Sequence, residues 1–335
     1  MRESLLEKCE LFVRNRDAIK DGFIWESGYM YPVCAMVFAE KGREADVERM
    51  KVCSNLLKQY TSVFSNFRGT VKLAMVAMLA VEPDPEGMLA KALEMYDLLK
   101  EHFFSSSYLP LTAMMLVKLS EPSQYGEVAK RTREIYDLMK EEHPFLTSSE
   151  DSVVAGLLAL SDLSDEQVVE ETERCYEMLK PEFFSSNAVQ SLSHVLALGV
   201  GNAGEKCDRT VDLYEGLKRN GYKYGKEYEL ATLGVLALLP VKTEDIMRDV
   251  MEVDDFLAGQ RGYGFFGLRR KERLMHAGML VTSDYIGTAG QPAMQSAAIG
   301  GTVSLIVAQQ AAMCAAIAAA SASATAAAAA SSSSN

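Results

Sequence analysis

The sequence is short of basic charge. Its 34 Lys and Arg face 46 Asp and Glu, a formal net charge of −12 over 335 residues. A general nucleic-acid binder needs a basic footprint to displace counterions from phosphates, so nucleic acid is not an expected partner. Cysteine is sparse too. The six, Cys9, Cys34, Cys53, Cys175, Cys207 and Cys314, include no C-x-x-C pair. Neither a zinc site nor a redox pair is signalled, and the count is too low for a disulfide framework in a chain this long. The N-terminal stretch MRESLLEKCELFVRNRD has no apolar h-region and reads as an amphipathic charged helix, not a signal peptide. These absences point to a reducing cytoplasm. Charge itself is absent from the last 51 residues, because every Lys, Arg, Asp and Glu lies at or before Asp284. What remains is globular in composition, 48% hydrophobic and 24% charged. The length suits one large or two ordinary domains with a sizeable core.

What the sequence does have is internal repetition. The phrase MYDLLK at 95–100 returns as IYDLMK at 135–140, CYEMLK at 175–180 and LYEGLK at 213–218, with a weaker copy, CSNLLK, at 53–58. Its closing lysines, Lys58, Lys100, Lys140, Lys180 and Lys218, step by 42, 40, 40 and 38. A leucine anchor, Leu79, Leu119, Leu160, Leu198 and Leu238, keeps the same period. A period in this range is the mark of a helical repeat array. Each copy reads as two helices. Helix A is short and apolar nearly all round, as in GTVKLAMVAMLAV, with Lys72, Lys118 and His194 its few long polar residues. Helix B is charged and amphipathic, as in DEQVVEETERCYEMLK. Ser164 with Gln167 has the form of a capping box, and Thr243 or Asp84 would cap likewise. The B-to-A connections repeat an aromatic followed by small polar residues: Phe64-Ser65-Asn66, Phe104-Ser105-Ser106, Phe145-Leu146-Thr147-Ser148 and Phe184-Ser185-Ser186. The serines are natural N-caps for the next helix A.

The expected fold is therefore all-α, with about seven helical hairpins on a repeat of about 40 residues. The hairpins fall at 28–58, 68–101, 108–141, 149–180, 187–218 and 226–258, after an entry helix at 2–20 and before an incomplete seventh that starts at Leu268. Residues 1–284 form the hairpin-repeat domain, and 285–335 form an Ala-rich C-terminal helix with a low-complexity tail. A helix that is apolar on every face must be buried on every face. An α/α barrel, or toroid, with helices A inside meets that need, and so does a tightly curled α-solenoid. The closed form is favoured.

Candidate chemistry is thin. His194 and His276 each stand four residues before the leucine register, at Leu198 and Leu280, so they occupy one level of helix A in two copies. Facing one cavity, they would share a metal or a proton. No carboxylate or cysteine completes a ligand set, so no metal is expected, and two separately satisfied core histidines is the plainer reading. The run Gly259–Gly267 precedes Arg269, Arg270, Lys271 and Arg273. It lacks the spacings of phosphate-binding loops and reads as a turn, with Arg269 and Arg270 the candidate anion contacts. Cys53 and Cys175 hold the slot that is Met95, Ile135 and Leu213 elsewhere, which makes them core thiols rather than nucleophiles. Tyr96, Tyr136 and Tyr176 recur once per copy and read as packing between hairpins. No cofactor is called for.

Residues 293–320 are long enough to span a bilayer, but Gln309 and Gln310 sit near the middle and no Lys or Arg flanks them closely. They read as a helix packed on the repeats, with a membrane anchor as the alternative. The recurring Y-[DE]-x-[LM]-K helices, the F-S-S turns and the charge-free Ala-rich C-terminus resemble the uncharacterised prokaryotic family known as domain of unknown function 4003. That resemblance implies one full-length domain and carries no activity or site residues. The functional expectation is a cytoplasmic, non-catalytic helical-repeat binding protein for a protein partner or an apolar small molecule. The alternatives are an α/α-barrel enzyme or carrier for a hydrophobic substrate, and a membrane-associated protein held by its tail.

Overall fold

The computed structural model describes residues 1–264, 268–287 and 316–317. Among them the chain is all-α, with an isolated bridge between Tyr263 and Leu268. The helices are α1 Glu3–Gly22, α2 Met30–Glu40, α3 Val47–Tyr60, α4 Lys72–Ala80, α5 Pro85–Lys100, α6 Leu109–Leu119, α7 Tyr125–Glu142, α8 Ser152–Ala159, α9 Asp165–Leu179, α10 Ser186–Leu198, α11 Ala203–Arg219, α12 Leu230–Leu238, α13 Thr243–Ala258 and α14 Arg270–Gly287. Short apolar and longer amphipathic helices alternate from α2 to α13, each pair matching one expected hairpin with no end more than two residues outside it. α14 runs three residues past Asp284, so the last charge does not mark the helix end. The expected helix at 293–320 and the low-complexity tail lie outside the described residues, apart from 316–317. No described helix is long and apolar enough to cross a membrane.

Two compact units divide the chain. Of the described residues, 11–160 with 316–317 make the first, and 1–10 with 161–264 and 268–287 make the second. In the first unit α4 packs against α2 and α6, and α6 against α8, while α3 lies on α5 and α5 on α7. In the second, α12 packs against both α10 and α14, and α11 lies between α9 and α13. The apolar helices thus sit beside one another, and the amphipathic helices do the same.

Burial follows this layering. Every residue from Leu73 to Ala80 in α4 and from Leu230 to Ala237 in α12 is buried, as a helix with apolar residues on all faces requires. In α9 only the stripe Val168, Thr172, Cys175, Tyr176 and Leu179 is buried. Glycine permits the closest approach within the apolar layer. A Cβ on Gly234 of α12 would lie 2.7 Å from Leu192 Cδ1 of α10.

The helix ends are closed locally. Ser164 Oγ accepts from Gln167 N at 3.3 Å, and Gln167 returns Oε1 to Ser164 N at 2.9 Å, the expected capping box. Asp84 caps α5 by accepting from Gly87 N. Thr243 does not cap: it is the first residue of α13, and Lys242 holds the cap position without a side-chain bond. Orphan carbonyls at the C-terminal ends of the apolar helices are taken by basic side chains of amphipathic ones. Arg49 donates to Ala80 O at 2.8 Å, Arg131 to Ala159 O at 2.8 Å and Lys206 to Leu196 O at 2.8 Å. Each places a cation at the negative end of a helix dipole.

Candidate functional site

His194 is buried in α10, and His276 is buried in α14, where its Nδ1 shares a 2.9 Å hydrogen bond with the Tyr263 hydroxyl. α12 packs on both helices. Opposite α10, the space at Gly234 is filled by Leu192 and Val195. The two histidines thus sit on separate helices in packed surroundings. Among the described residues no group of three or more His, Cys, Asp or Glu is arranged to hold a metal ion. Arg269 is exposed just before α14. Arg270, also exposed, stands over the Tyr222 ring at 5.4 Å from its centroid. The preceding glycine run is a turn as far as it is described. Gly262 and Gly264 take φ of 93° and 121°, which side-chain-bearing residues avoid, and Phe265–Gly267 lie outside the described residues.

Two features of the structure were not singled out from the sequence. The first is buried charge in the second unit. Asp249, Asp254, Glu229 and Asp284 are all at most 1% exposed. Each has a cation. Arg273 grips Asp254 with two bonds of 2.8 Å, and Lys271 Nζ lies 3.2 Å from Glu229. Arg2 joins Asp249 at 2.9 Å and Asp284 at 2.7 Å, while the Tyr285 hydroxyl donates to Asp249 at 2.7 Å. Burial pushes the Tyr285 hydroxyl pKa up, and the bond to Asp249 adds to the effect. Lys8 completes the set by donating to Ser283 O at 2.8 Å. This is a pinning network in which each of these four acids faces a base.

The second feature lies at the corners between amphipathic and apolar helices. Phe64 is 96% exposed, Phe104 96%, Phe145 98% and Phe184 100%, and Trp25, in the corner before α2, is 93% exposed. Ile24 and Val63 are exposed beside two of them. At the same corners other aromatics turn inward. Phe67 meets Tyr96, Phe103 meets Tyr136 and Phe183 meets Tyr214, all edge-to-face with centroids 5.1, 5.3 and 5.2 Å apart. Two of these pairs involve the recurring Tyr96 and Tyr136, while the third takes Tyr214.

In the first unit the corners adjoin one another. Lys72 at the start of α4 pairs with Glu26 at 3.0 Å, Asn66 donates to Ser105 Oγ at 2.7 Å, and Thr112 near the start of α6 shares a 3.0 Å bond with Ser152 of α8. Trp25, Phe64, Phe104 and Phe145 therefore stand along one edge of that unit. A single exposed apolar residue means nothing, but a recurring one at the same structural corner is a surface feature. The signal for it was the repeated F-S-S phrase, read from the sequence only as a turn with its caps.

Comparison with known proteins adds relatives of the same standing. The chain is similar to "Uncharacterized protein YeaA" of Bacillus subtilis (strain 168), 21% identical over 323 residues that cover 91% of this chain and 98% of that protein. No solved structure matches. The family model described as "Protein of unknown function (DUF4003)" matches residues 15–311, nearly the whole length, and the chain belongs to that family.

Proposed function

We propose that this protein is a non-catalytic helical-repeat binding protein. Its partner is a protein, gripped along the corner edge of the first unit by Trp25, Phe64, Phe104 and Phe145. The observation that carries the reading is the near-complete exposure of these four rings at successive corners. Each would gain about 1.5–3 kcal/mol on full burial, so four in register supply a large apolar drive for association. Aromatic anchors of this kind dominate protein interfaces. Around them lie exposed Ile24 and Val63 together with serine, asparagine, threonine and charges of both signs. That suits a protein surface better than an anionic bilayer, which is met by clustered Lys and Arg. The array of about seven hairpins on a repeat of about 40 residues, as an α/α barrel or a tightly curled solenoid, belongs to the same proposal. So does a cytoplasmic setting.

The test is site-specific photo-crosslinking in cells of the source species, with a photoreactive phenylalanine at 64, 104 or 145 and, as controls, at the exposed positions 91 and 170. The expected result is one and the same adduct from all three corners, absent from the controls. The identified partner should then bind Phe104→Ser protein at least tenfold more weakly. Adducts that do not depend on position, crosslinks to lipid, or unchanged affinity of Phe104→Ser would overturn the reading.

A further inference from the structure

Two thiols face each other in the second unit. Cys175 lies on α9 and Cys207 on α11, neighbouring helices of that unit. Both side chains are buried, and Cys207 Sγ sits 3.9 Å from the Cys175 carbonyl oxygen, to which its thiol donates. Cys207 also forms part of the wall of an open cleft of about 350 Å³, together with Met178, Glu182, Asp208, Val211 and Asp212. A buried ammonium stands beside the pair. Lys206 is fixed by Glu171 Oε1 at 2.7 Å and by the carbonyls of Leu196 and Gly199 at 2.8 and 3.0 Å.

This environment differs from that of the other described cysteines. Burial pushes the Cys9 thiol up to about 12 and raises Cys34 and Cys53 as well, which keeps them protonated and unreactive. Cys207 is instead held below its ordinary value. The hydrogen bond from Cys175 is the main cause, and Lys206 adds to it, while burial, Asp208 and Glu171 oppose. Cys175, the donor in that bond, is raised. Cys207 lines the cleft while Cys175 is wholly buried behind it, so Cys207 is the thiol placed to attack and Cys175 the one placed to resolve the product. A cleft gives a small oxidant access to the first.

We propose that Cys207 and Cys175 form a dithiol site oxidised by small hydroperoxides. The Cys207 thiolate attacks the peroxide. An S–O bond forms, the O–O bond breaks, and the hydroxide or alkoxide that leaves takes a proton. Cys207 is then a sulfenic acid. The Cys175 sulfur, having given up its proton, attacks the Cys207 sulfur. The S–S bond forms, the S–O bond breaks, and the hydroxide takes up the proton as water. Two thiols are oxidised to one disulfide, and one peroxide is reduced. The bond ties α9 to α11 and is opened again by a dithiol reductant.

The experiment treats the full-length protein with hydrogen peroxide at neutral pH and maps all cysteines by mass spectrometry over time. The expected result is a Cys175–Cys207 linked peptide that forms at least tenfold faster than Cys9, Cys34 or Cys53 is modified. Dithiothreitol should reverse it. In Cys175→Ser protein, Cys207 should accumulate as a sulfenic acid trapped by dimedone, and in Cys207→Ser protein Cys175 should stay reduced. Equal rates at all thiols, a disulfide from Cys207 to any other cysteine, or unchanged Cys175 oxidation in Cys207→Ser protein would each overturn the proposal. The wild-type map decides the question even where a variant folds poorly.

Discussion

The apolar helices of the two units look alike in sequence, yet the layers they build hold together differently. Around α4, α6 and α8 the buried polar groups are mainly hydroxyls, such as Thr112 and Ser152, which bond to each other and to nearby carbonyls. Around α12, α13 and α14 the interior takes up the ion-paired Glu229, Asp249, Asp254 and Asp284. A hydroxyl is satisfied by one short-range bond, so the first unit is specified by shape. A buried carboxylate needs a matched cation, so the second unit is specified by pairing. Matched pairs add little net stability over an apolar core, but breaking one strands a charge. The second unit should therefore be the more sensitive to single substitutions and the less sensitive to compensated double ones.

Arg273→Ala is the sharpest way to break that contrast. It strands Asp254, and the loss should be about 3–5 kcal/mol. The double variant Asp254→Leu/Arg273→Leu should recover most of it. Urea unfolding followed by circular dichroism separates the outcomes. A double variant as unstable as Arg273→Ala would show that the pair is needed for more than charge balance.

Asp151 is the exception within the first unit. It is buried, it accepts from Ser148 N at 2.8 Å, and burial pushes its carboxyl up to about 7. The folded state therefore holds a proton that the unfolded chain has released at lower pH. The stabilisation is complete below about 4 and is lost as pH rises to about 7, the reverse of an ion-paired carboxylate. The span is at most about 4 kcal/mol. Asp151→Asn keeps a cap acceptor and removes the titration. Its melting temperature relative to wild type should rise from pH 4.5 to about pH 7 and level off above it, as read by calorimetry. A constant difference would show that Asp151 titrates normally.

Much of this arrangement was legible in the sequence, for a physical reason. The alternation of all-apolar and striped helices is a local pattern, and α2 to α13 match the expected hairpins to within two residues at their outer ends. The capping box of Ser164 and Gln167 is local too, and Ser164→Ala should cost about 1 kcal/mol. The buried acids were not legible. Asp249 and Asp254 sit in a charged helix, and their burial depends on Arg2, 247 residues away, and on Arg273. The thiol pair was hidden in the same way, because Cys175 and Cys207 come from different hairpins and each looks like a core residue in its own.

The corner aromatics show the limit of local pattern most directly, and they give the smallest stability effect and the most telling one. Phe103 and Phe104 are adjacent, identical in type and indistinguishable by composition. Phe103 packs edge-to-face on Tyr136, beneath Arg133, whose guanidinium carbon lies 5.3 Å from the Phe103 centroid. Phe104 is 96% exposed. Only the fold decides which ring turns inward. Phe103→Ser should therefore cost about 1–3 kcal/mol, from lost burial and lost ring contact. Phe104→Ser should shift stability by less than about 0.5 kcal/mol, as surface substitutions do. If Phe104 serves an interface, its loss will appear in partner affinity alone, with an unchanged unfolding curve. A Phe104→Ser protein as unstable as Phe103→Ser would mean that the outward ring is part of the packing, and the corner edge would then lose its claim to be a binding surface.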